Sequence, residues 1–226
     1  MLPLPKPAPR TWIIPLREAE VAAAAFDALP TLVLADDVSQ LLAEIVQNVT
    51  VGESDDTPTG ARRHALWLMA IIALRALRSA MHILTVGYED QVAGYTRLID
   101  ELHNRAQQVR NDQSGEHARR WLAGRPVGKG AKIGEQGLWE FLSGPVHANV
   151  RAALDWLAIS QDDGSTKVLL GPERRPDLAN GALVFMASEG RDIANLLALE
   201  AGLTPGLSEL DWRIKQARAV YNLEPA

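Results

Sequence analysis

The chain has 226 residues and no cysteine, and 47% of its residues are hydrophobic, 23% charged and 5% aromatic. This composition is typical of a globular protein that is large enough to bury a core, and it argues against wholesale disorder. The lack of cysteine excludes disulfides, thiol nucleophiles, iron–sulfur clusters and cysteine-ligated zinc. The net charge of −5 disfavours general nucleic-acid binding but leaves room for a local basic patch.

The N-terminal region predicts an extended arm rather than a targeting signal. Residues 1–15 hold five prolines, four of them at alternate positions from Pro3 to Pro9, a pattern typical of a polyproline segment. No apolar signal core is present. The longest strongly apolar run, residues 65–74, is too short to span a bilayer. We therefore expect a cytoplasmic protein without membrane association.

Residues 16–226 predict one all-α domain, a single bundle of six to eight helices. Apolar residues recur at the three- and four-residue spacings of amphipathic helices through most of this region. The predicted helices cover 16–29, a segment capped by Asp36 or Asp37, 62–85, 92–109, 117–122, 135–158, 178–201 and a last segment opened by Thr204-Pro205. The stretch 159–178 is a short irregular insert in which 166–170 favours a strand.

The helix over 92–109 has the most regular apolar seam, formed by Val92, Tyr95, Ile99, Leu102, Ala106 and Val109. Arg97 and Glu101 lie more than about 100° from this seam, so periodicity alone predicts a solvated ion pair. Asp100 and His103 are the nearest match to the Glu-x-x-His motif of di-iron bundles. Because the chain has no second acidic-x-x-His motif, we expect a solvated helix face there and no metal or other cofactor.

A basic patch lies within residues 119–132, in a stretch without acidic residues. Its members are Arg119, Arg120, Trp121, Arg125, Lys129 and Lys132. The cations would neutralise phosphates and the tryptophan would stack on a base, which makes the patch a candidate RNA-binding surface. The alternative is a solvated loop whose tryptophan packs inward. The glycines of this stretch do not form a P-loop, because their spacing is one residue short and no Ser or Thr follows Lys129.

A candidate catalytic histidine lies further along the chain. Pro145 separates Ser143 from His147, and we expect a helix to restart at this proline. His147 would then lie in the first turn, where the helix dipole lowers the pKa of an imidazole and favours a neutral general base. The alternative is a structural histidine held by a neighbouring carboxylate or backbone group.

Two segments resemble a widespread bacterial family of all-helical proteins of unknown function. Residues 87–101 match the pattern GY-x4-A-x3-R-x3-E, and residues 142–147 match LS-x2-VH. The resemblance implies one polar site between two helices, made by Arg97, Glu101, Ser143 and His147.

That family is similar in outline to HEPN-type helical domains, which are often metal-independent ribonucleases or nucleotide-binding modules of defence and toxin systems. Their Arg-x4–6-His motif matches the spacing of Arg110 and His117, although residues 113–115 between them predict a turn. The resemblance implies a metal-independent RNA-processing or defence effector in which His147 is the acid or base, Arg97 holds the phosphate and Glu101 orients one of them. The alternative is a non-enzymatic interaction module, a homo-oligomer or a subunit of a larger assembly, in which these residues fix helix register.

Overall fold

The computed structural model describes residues 13–52, 57–125, 127, 159–160, 167–168 and 176–223. Within these residues the chain forms eight α-helices, a 3-10 turn at Glu89–Gln91 and one antiparallel strand pair. The helices are α1 (Ile13–Ala23), α2 (Ala25–Ala28), α3 (Leu32–Asn48), α4 (Pro58–Val86), α5 (Val92–Asn111), α6 (Glu116–Leu122), α7 (Pro176–Glu200) and α8 (Ser208–Val220). The strands are β1 (Ile159–Ser160) and β2 (Lys167–Val168), with Ile159 opposite Val168. The predicted all-α bundle is confirmed.

Helix α4 is the centre of the bundle, because α3, α5, α6 and α7 all pack against it. Its buried face carries small side chains, which let neighbouring helices approach closely: Ala65, Ala70, Ala73, Ala76 and Ala80. The helix begins at Pro58, four residues before the predicted start. Thr57 explains the difference, since its side-chain oxygen accepts the backbone N–H of Gly60 at 3.0 Å and caps the helix.

By length and composition α4 is also the one described helix that would suit a membrane span, with a mean hydropathy of 1.5 in its most apolar window. The core helix of a soluble bundle passes the same test, and Leu66, Met69 and Leu77 of α4 are fully buried. The hydropathy of α4 is therefore weak evidence for a membrane.

The starts of α1 and α3 also differ from the sequence-based expectation. Helix α1 begins at Ile13, so Pro15 lies in its first turn, where a missing N–H costs nothing. The described chain is thus helical at the end of the predicted 1–15 arm, and residues 1–12 lie outside the described part. Helix α3 begins at Leu32, so the prediction that Asp36 or Asp37 caps it is wrong.

A buried tertiary contact accounts for the start of α3. The Thr31 hydroxyl donates to Oδ1 of Asn180 on α7 at 2.5 Å. The Asn180 amide in turn donates to the carbonyls of Ala28 at 3.1 Å and Pro176 at 2.8 Å. A side chain 149 positions away therefore holds the corner between α2 and α3, and sequence periodicity contains no signal of it.

Helix α5 has the predicted apolar seam and, in addition, a second buried face. Ala93, Thr96 and Asp100 lie outside the seam but are buried, because α5 packs against both α4 and α7. This second face brings the polar residues of α5 against α7.

The remaining helices follow the prediction with small shifts. Arg110 lies in the last turn of α5 and His117 lies on α6, so the predicted turn separates them and they do not share one helix. Helix α8 begins at Ser208 rather than directly at Pro205. The strand predicted at 166–170 is seen as β2, and most of the insert and the helix predicted over 135–158 lie outside the described residues.

Candidate functional site

A cluster of titratable side chains lies between α5 and α7. We name it the acid–histidine cluster, and it consists of Asp100 and His103 of α5 with Glu189 and Asp192 of α7. Asp100 and His103 are neighbours on α5 because residues three apart share one side of a helix. The α5–α7 packing then adds the two carboxylates across the helix interface.

His103 is held at both ring nitrogens. Its Nδ1 makes a short contact with Oε2 of Glu189, and its Nε2 lies 3.8 Å from Oδ2 of Asp192 and 2.8 Å from the amide nitrogen of Gln107. Burial lowers the pKa of His103, but the bond to Glu189 and the charges of Asp192 and Asp100 outweigh it and raise the pKa above the ordinary 6.5. His103 is therefore a candidate proton donor near neutral pH.

Asp100 is the least solvated carboxyl group of the cluster, with only 7% of the residue exposed. Its Oδ1 accepts the amide of Asn104 at 3.3 Å, while its buried Oδ2 has no hydrogen-bond partner in the described chain. Burial is the main cause that raises the pKa of Asp100 from 3.8 to about 6, and the negative charge of Glu189 adds to it. The prediction that Asp100 and His103 form a solvated helix face is wrong, because α7 covers them.

Arg97 and Glu101 form the predicted ion pair one turn away on α5. Nε of Arg97 lies 3.0 Å from Oε1 of Glu101, and Arg105 approaches the same carboxylate at 3.9 Å. The Arg97 side chain is only 22% exposed, so the pair is more enclosed than the solvated pair that periodicity predicts. Glu101 thus holds a half-buried guanidinium next to the acid–histidine cluster.

The described part of the basic patch divides into exposed cations and a packed aromatic ring. Arg120 and Arg125 are exposed, and Arg119 donates to the carbonyl of Ser114 at 3.1 Å. Trp121 is half-buried and packs against the hydrophobic core, which corresponds to the inward-packing alternative for this residue. Phosphate binding by the arginines stays a prediction, whereas the Trp121 ring contributes to the packing of the fold.

Four residues of the predicted site lie outside the described residues: Lys129, Lys132, Ser143 and His147. Their roles stay predictions. Of the four residues that the resemblance assigns to one polar site, the structure describes only Arg97 and Glu101 of α5.

A second buried ion cluster joins α4, α5 and α7. Glu200 accepts Nε of Arg62 at 2.9 Å on one oxygen and lies 3.1 Å from Nε of Arg110 on the other. Arg62 also donates to the carbonyls of Asp112 at 3.4 Å and Gln113 at 3.1 Å. Because these groups bind one another across three elements, we assign the cluster to the fold.

The functional residues that the sequence-based analysis missed are Glu189 and Asp192. The Asp100-x-x-His103 motif was a local signal for half of the acid–histidine cluster, but the α7 carboxylates are 86 or more positions from His103. Among the described residues, no group of three or more His, Asp or Glu side chains has a geometry that could hold a metal ion.

No family model, curated protein or solved structure matches this chain. The acid–histidine cluster and the two short motifs are therefore the features that bear on its function.

Proposed function

We propose that the chain is a metal-independent RNA-processing enzyme of HEPN-like type, an effector whose chemistry lies on α5 and whose place of action is the cytoplasm. One observation supports the proposal above the others. Arg97, Asp100 and His103 follow one another three residues apart on α5, and Glu189 of α7 holds the imidazole. A histidine with a raised pKa and a cation on the same helix are the kinds of group that metal-free phosphodiester cleavage needs.

In the proposed reaction the 2′-hydroxyl of the RNA attacks the adjacent phosphorus. A general base takes the hydroxyl proton, the bond from phosphorus to the 5′ oxygen breaks, and a general acid gives that oxygen a proton. The products are a 2′,3′-cyclic phosphate and a 5′-hydroxyl. Protonated His103 is the acid, and His147, which the sequence predicts as an acid or base, is the base. Arg97 stabilises the charge that develops on the phosphoryl oxygens.

The carboxylates act as positioning residues. Glu189 binds Nδ1 of His103, which leaves Nε2, on the side of the exposed Gln107, as the nitrogen that would face the substrate. Asp100 adds negative charge behind the ring. Glu101 restricts the rotamers of Arg97 through their ion pair.

The test is an RNA-cleavage assay with the purified full chain in EDTA. Wild type, His103→Gln, His147→Ala and Arg97→Gln are compared with His82→Gln, a matched control on an exposed position of α4. Circular dichroism confirms that each variant is folded. We expect wild type and His82→Gln to leave cyclic phosphate ends, and we expect each of the three site variants to lose about a hundredfold or more of the rate.

The pH dependence tests the role of His103. If its imidazolium is the acid, the rate falls as pH rises through its raised pKa. The absence of cleavage by the folded wild type overturns the proposal. Cleavage that survives in all three site variants at the control rate overturns the assignment of the site.

A non-enzymatic interaction module is the second candidate, and one observation favours it. The described polar groups largely bind one another across helices, as Arg62, Glu200 and Arg110 do, which is how a buried network fixes helix register. A folded wild type that cleaves no RNA, together with a loss of stability in Arg97→Gln, would support this candidate.

A further inference from the structure

Helix α8 exposes two large apolar side chains among polar ones although it belongs to the bundle. It buries one residue, Ile214, whereas Trp212 is 62% and Val220 is 70% exposed. With 3.6 residues per turn, the exposed positions fall on one side of the helix. We name this side the α8 face, and its members are Glu209, Trp212, Lys215, Gln216, Ala219 and Val220.

The charged residues on the opposite side of α8 fasten the helix to the bundle. Asp211 binds Arg191 of α7 at 2.7 Å, and Arg213 binds Asp37 of α3 at 2.7 Å. Arg218 donates to the Ser188 hydroxyl at 3.1 Å. These contacts fix which side of α8 turns outward.

The two charged members of the α8 face have no such partners. Glu209 and Lys215 make neither an ion pair nor a side-chain hydrogen bond with the described residues. Each lies three positions from Trp212, Glu209 before it and Lys215 after it. The α8 face is therefore acidic on one side of an exposed tryptophan and basic on the other.

We propose that the α8 face binds a second copy of this chain, with the two helices antiparallel about a two-fold axis at Trp212. A two-fold axis brings the same patch of both subunits together, so a residue three before the axis meets one three after it. Glu209 then lies opposite Lys215 of the partner subunit, twice in the dimer. The tryptophan packs against the partner's Trp212 in an offset or edge-to-face arrangement. A parallel pair would instead place like charges together.

The size of the surface sets the strength of the association. A helix of 13 residues is about 20 Å long, which gives less than the roughly 800 Å² per partner of a stable interface. The dimer is therefore concentration-dependent, and Trp212 carries most of its affinity, as exposed tryptophans at the centre of interfaces do. The dimer forms whether or not the chain cleaves RNA.

The test is sedimentation equilibrium of the full chain at several concentrations. We expect a mass that rises toward twice 24.6 kDa with concentration, and a dissociation constant at least about tenfold higher for Trp212→Ala. Arg75→Glu, a charge reversal at an exposed position of α4, is the control and leaves the dissociation constant unchanged.

Charge reversal separates the antiparallel dimer from other arrangements. Glu209→Lys and Lys215→Glu each place like charges opposite each other and weaken self-association. An equimolar mixture of the two variants restores it, because each lysine then meets a glutamate of the other variant. A chain that stays monomeric, a Trp212→Ala variant that dimerises like wild type, or a mixture that gains nothing would overturn the proposal.

Discussion

Asp100 is a carboxylic acid that the fold keeps away from water while α7 brings more negative charge to it. Its pKa rises to about 6 in the folded chain, from 3.8 in an unfolded one. Between these pH values the folded chain binds more protons than the unfolded chain, so stability falls as pH rises through this window. His103 has the same effect on the pH dependence of stability. Because its pKa is raised in the folded chain, it contributes stability that is fully present below pH 6.5 and is lost as pH rises through the pKa of the folded chain.

The substitution Asp100→Asn tests whether the ionised Asp100 carboxylate lowers the stability of the folded chain. The amide keeps the acceptor that Asn104 uses and removes a charge that costs free energy above pH 6. We expect the free energy of unfolding at pH 7.5 to increase by up to about 3 kcal/mol, and the difference from wild type to become small near pH 4.

Urea unfolding at the two pH values measures the effect of Asp100→Asn. The control is Asp36→Asn on α3, which removes the carboxylate that binds Arg78 of α4 at the surface. We expect this substitution to change the free energy of unfolding by less than about 1 kcal/mol. A loss of stability in Asp100→Asn at pH 7.5 would show that the charged carboxylate stabilises the fold.

The connection between α5 and α6 is a tight turn that packs on the start of α4. Asp112 accepts the N–H of His117 at 2.7 Å, the hydroxyl of Ser114 at 2.6 Å and the N–H of Ser114 at 3.0 Å, and these bonds lower the pKa of Asp112 to about 2. Gly115 has a φ of +71°, and a Cβ there would lie 2.8 Å from Cα of Pro58. Glycine is required here both by the backbone conformation and by the approach of α4.

Two Gly→Ala substitutions are expected to change the free energy of unfolding in opposite directions. Gly115→Ala introduces a strained left-handed residue and a backbone clash, so we expect a loss of about 2 kcal/mol or more. Gly94→Ala is the matched control in α5, where nothing lies within 4 Å of the added Cβ. It should gain about 0.5–1 kcal/mol, because alanine is the better helix former.

Thermal or urea unfolding of both alanine variants tests the close contact between this turn and α4. Equal stability of Gly115→Ala and wild type would mean that the turn does not pack on Pro58.

At the scale of the whole molecule, the net charge of −5 opposes RNA binding, so any affinity must come from local cations. Arg120 and Arg125 are exposed at the end of α6. We expect these side chains and Arg97, which lies on α5, to contact different phosphates of an extended RNA.

The double variant Arg120→Gln/Arg125→Gln tests whether these two arginines bind RNA phosphates. Each phosphate contact to single-stranded RNA contributes about 0.7 to the slope of log affinity against log salt, so the slope should decrease by about 1.4. Fluorescence anisotropy with a labelled single-stranded RNA at several salt concentrations measures this slope. Arg75→Gln, which removes an exposed cation of α4, is the control. An unchanged slope in the double variant would exclude these arginines from the RNA path.

Part of the candidate site was predictable because its signal is local. The ion pair of Arg97 and Glu101 follows from their four-residue spacing on a helix, and the structure contains it. The same rule failed on α8, where it predicts the intrahelical pairs Glu209–Arg213 and Asp211–Lys215. Arg213 instead binds Asp37, and Asp211 binds Arg191, because the packing of α8 on α3 and α7 offers partners that sequence spacing does not contain.

By itself, the sequence determined the all-α class, the seam of α5, the ends of α4 and α7, each closely followed by a left-handed glycine, and the short strand at 167–168. These features depend on helical periodicity, on left-handed glycines and on residue propensity, which act over a few neighbouring positions. Only the tertiary structure decided that Asp100 and His103 are enclosed, since Glu189 and Asp192 reach them from a helix more than 80 positions away. Burial changes the charge state of these groups, and burial is set by which helices pack together rather than by the spacing within one helix.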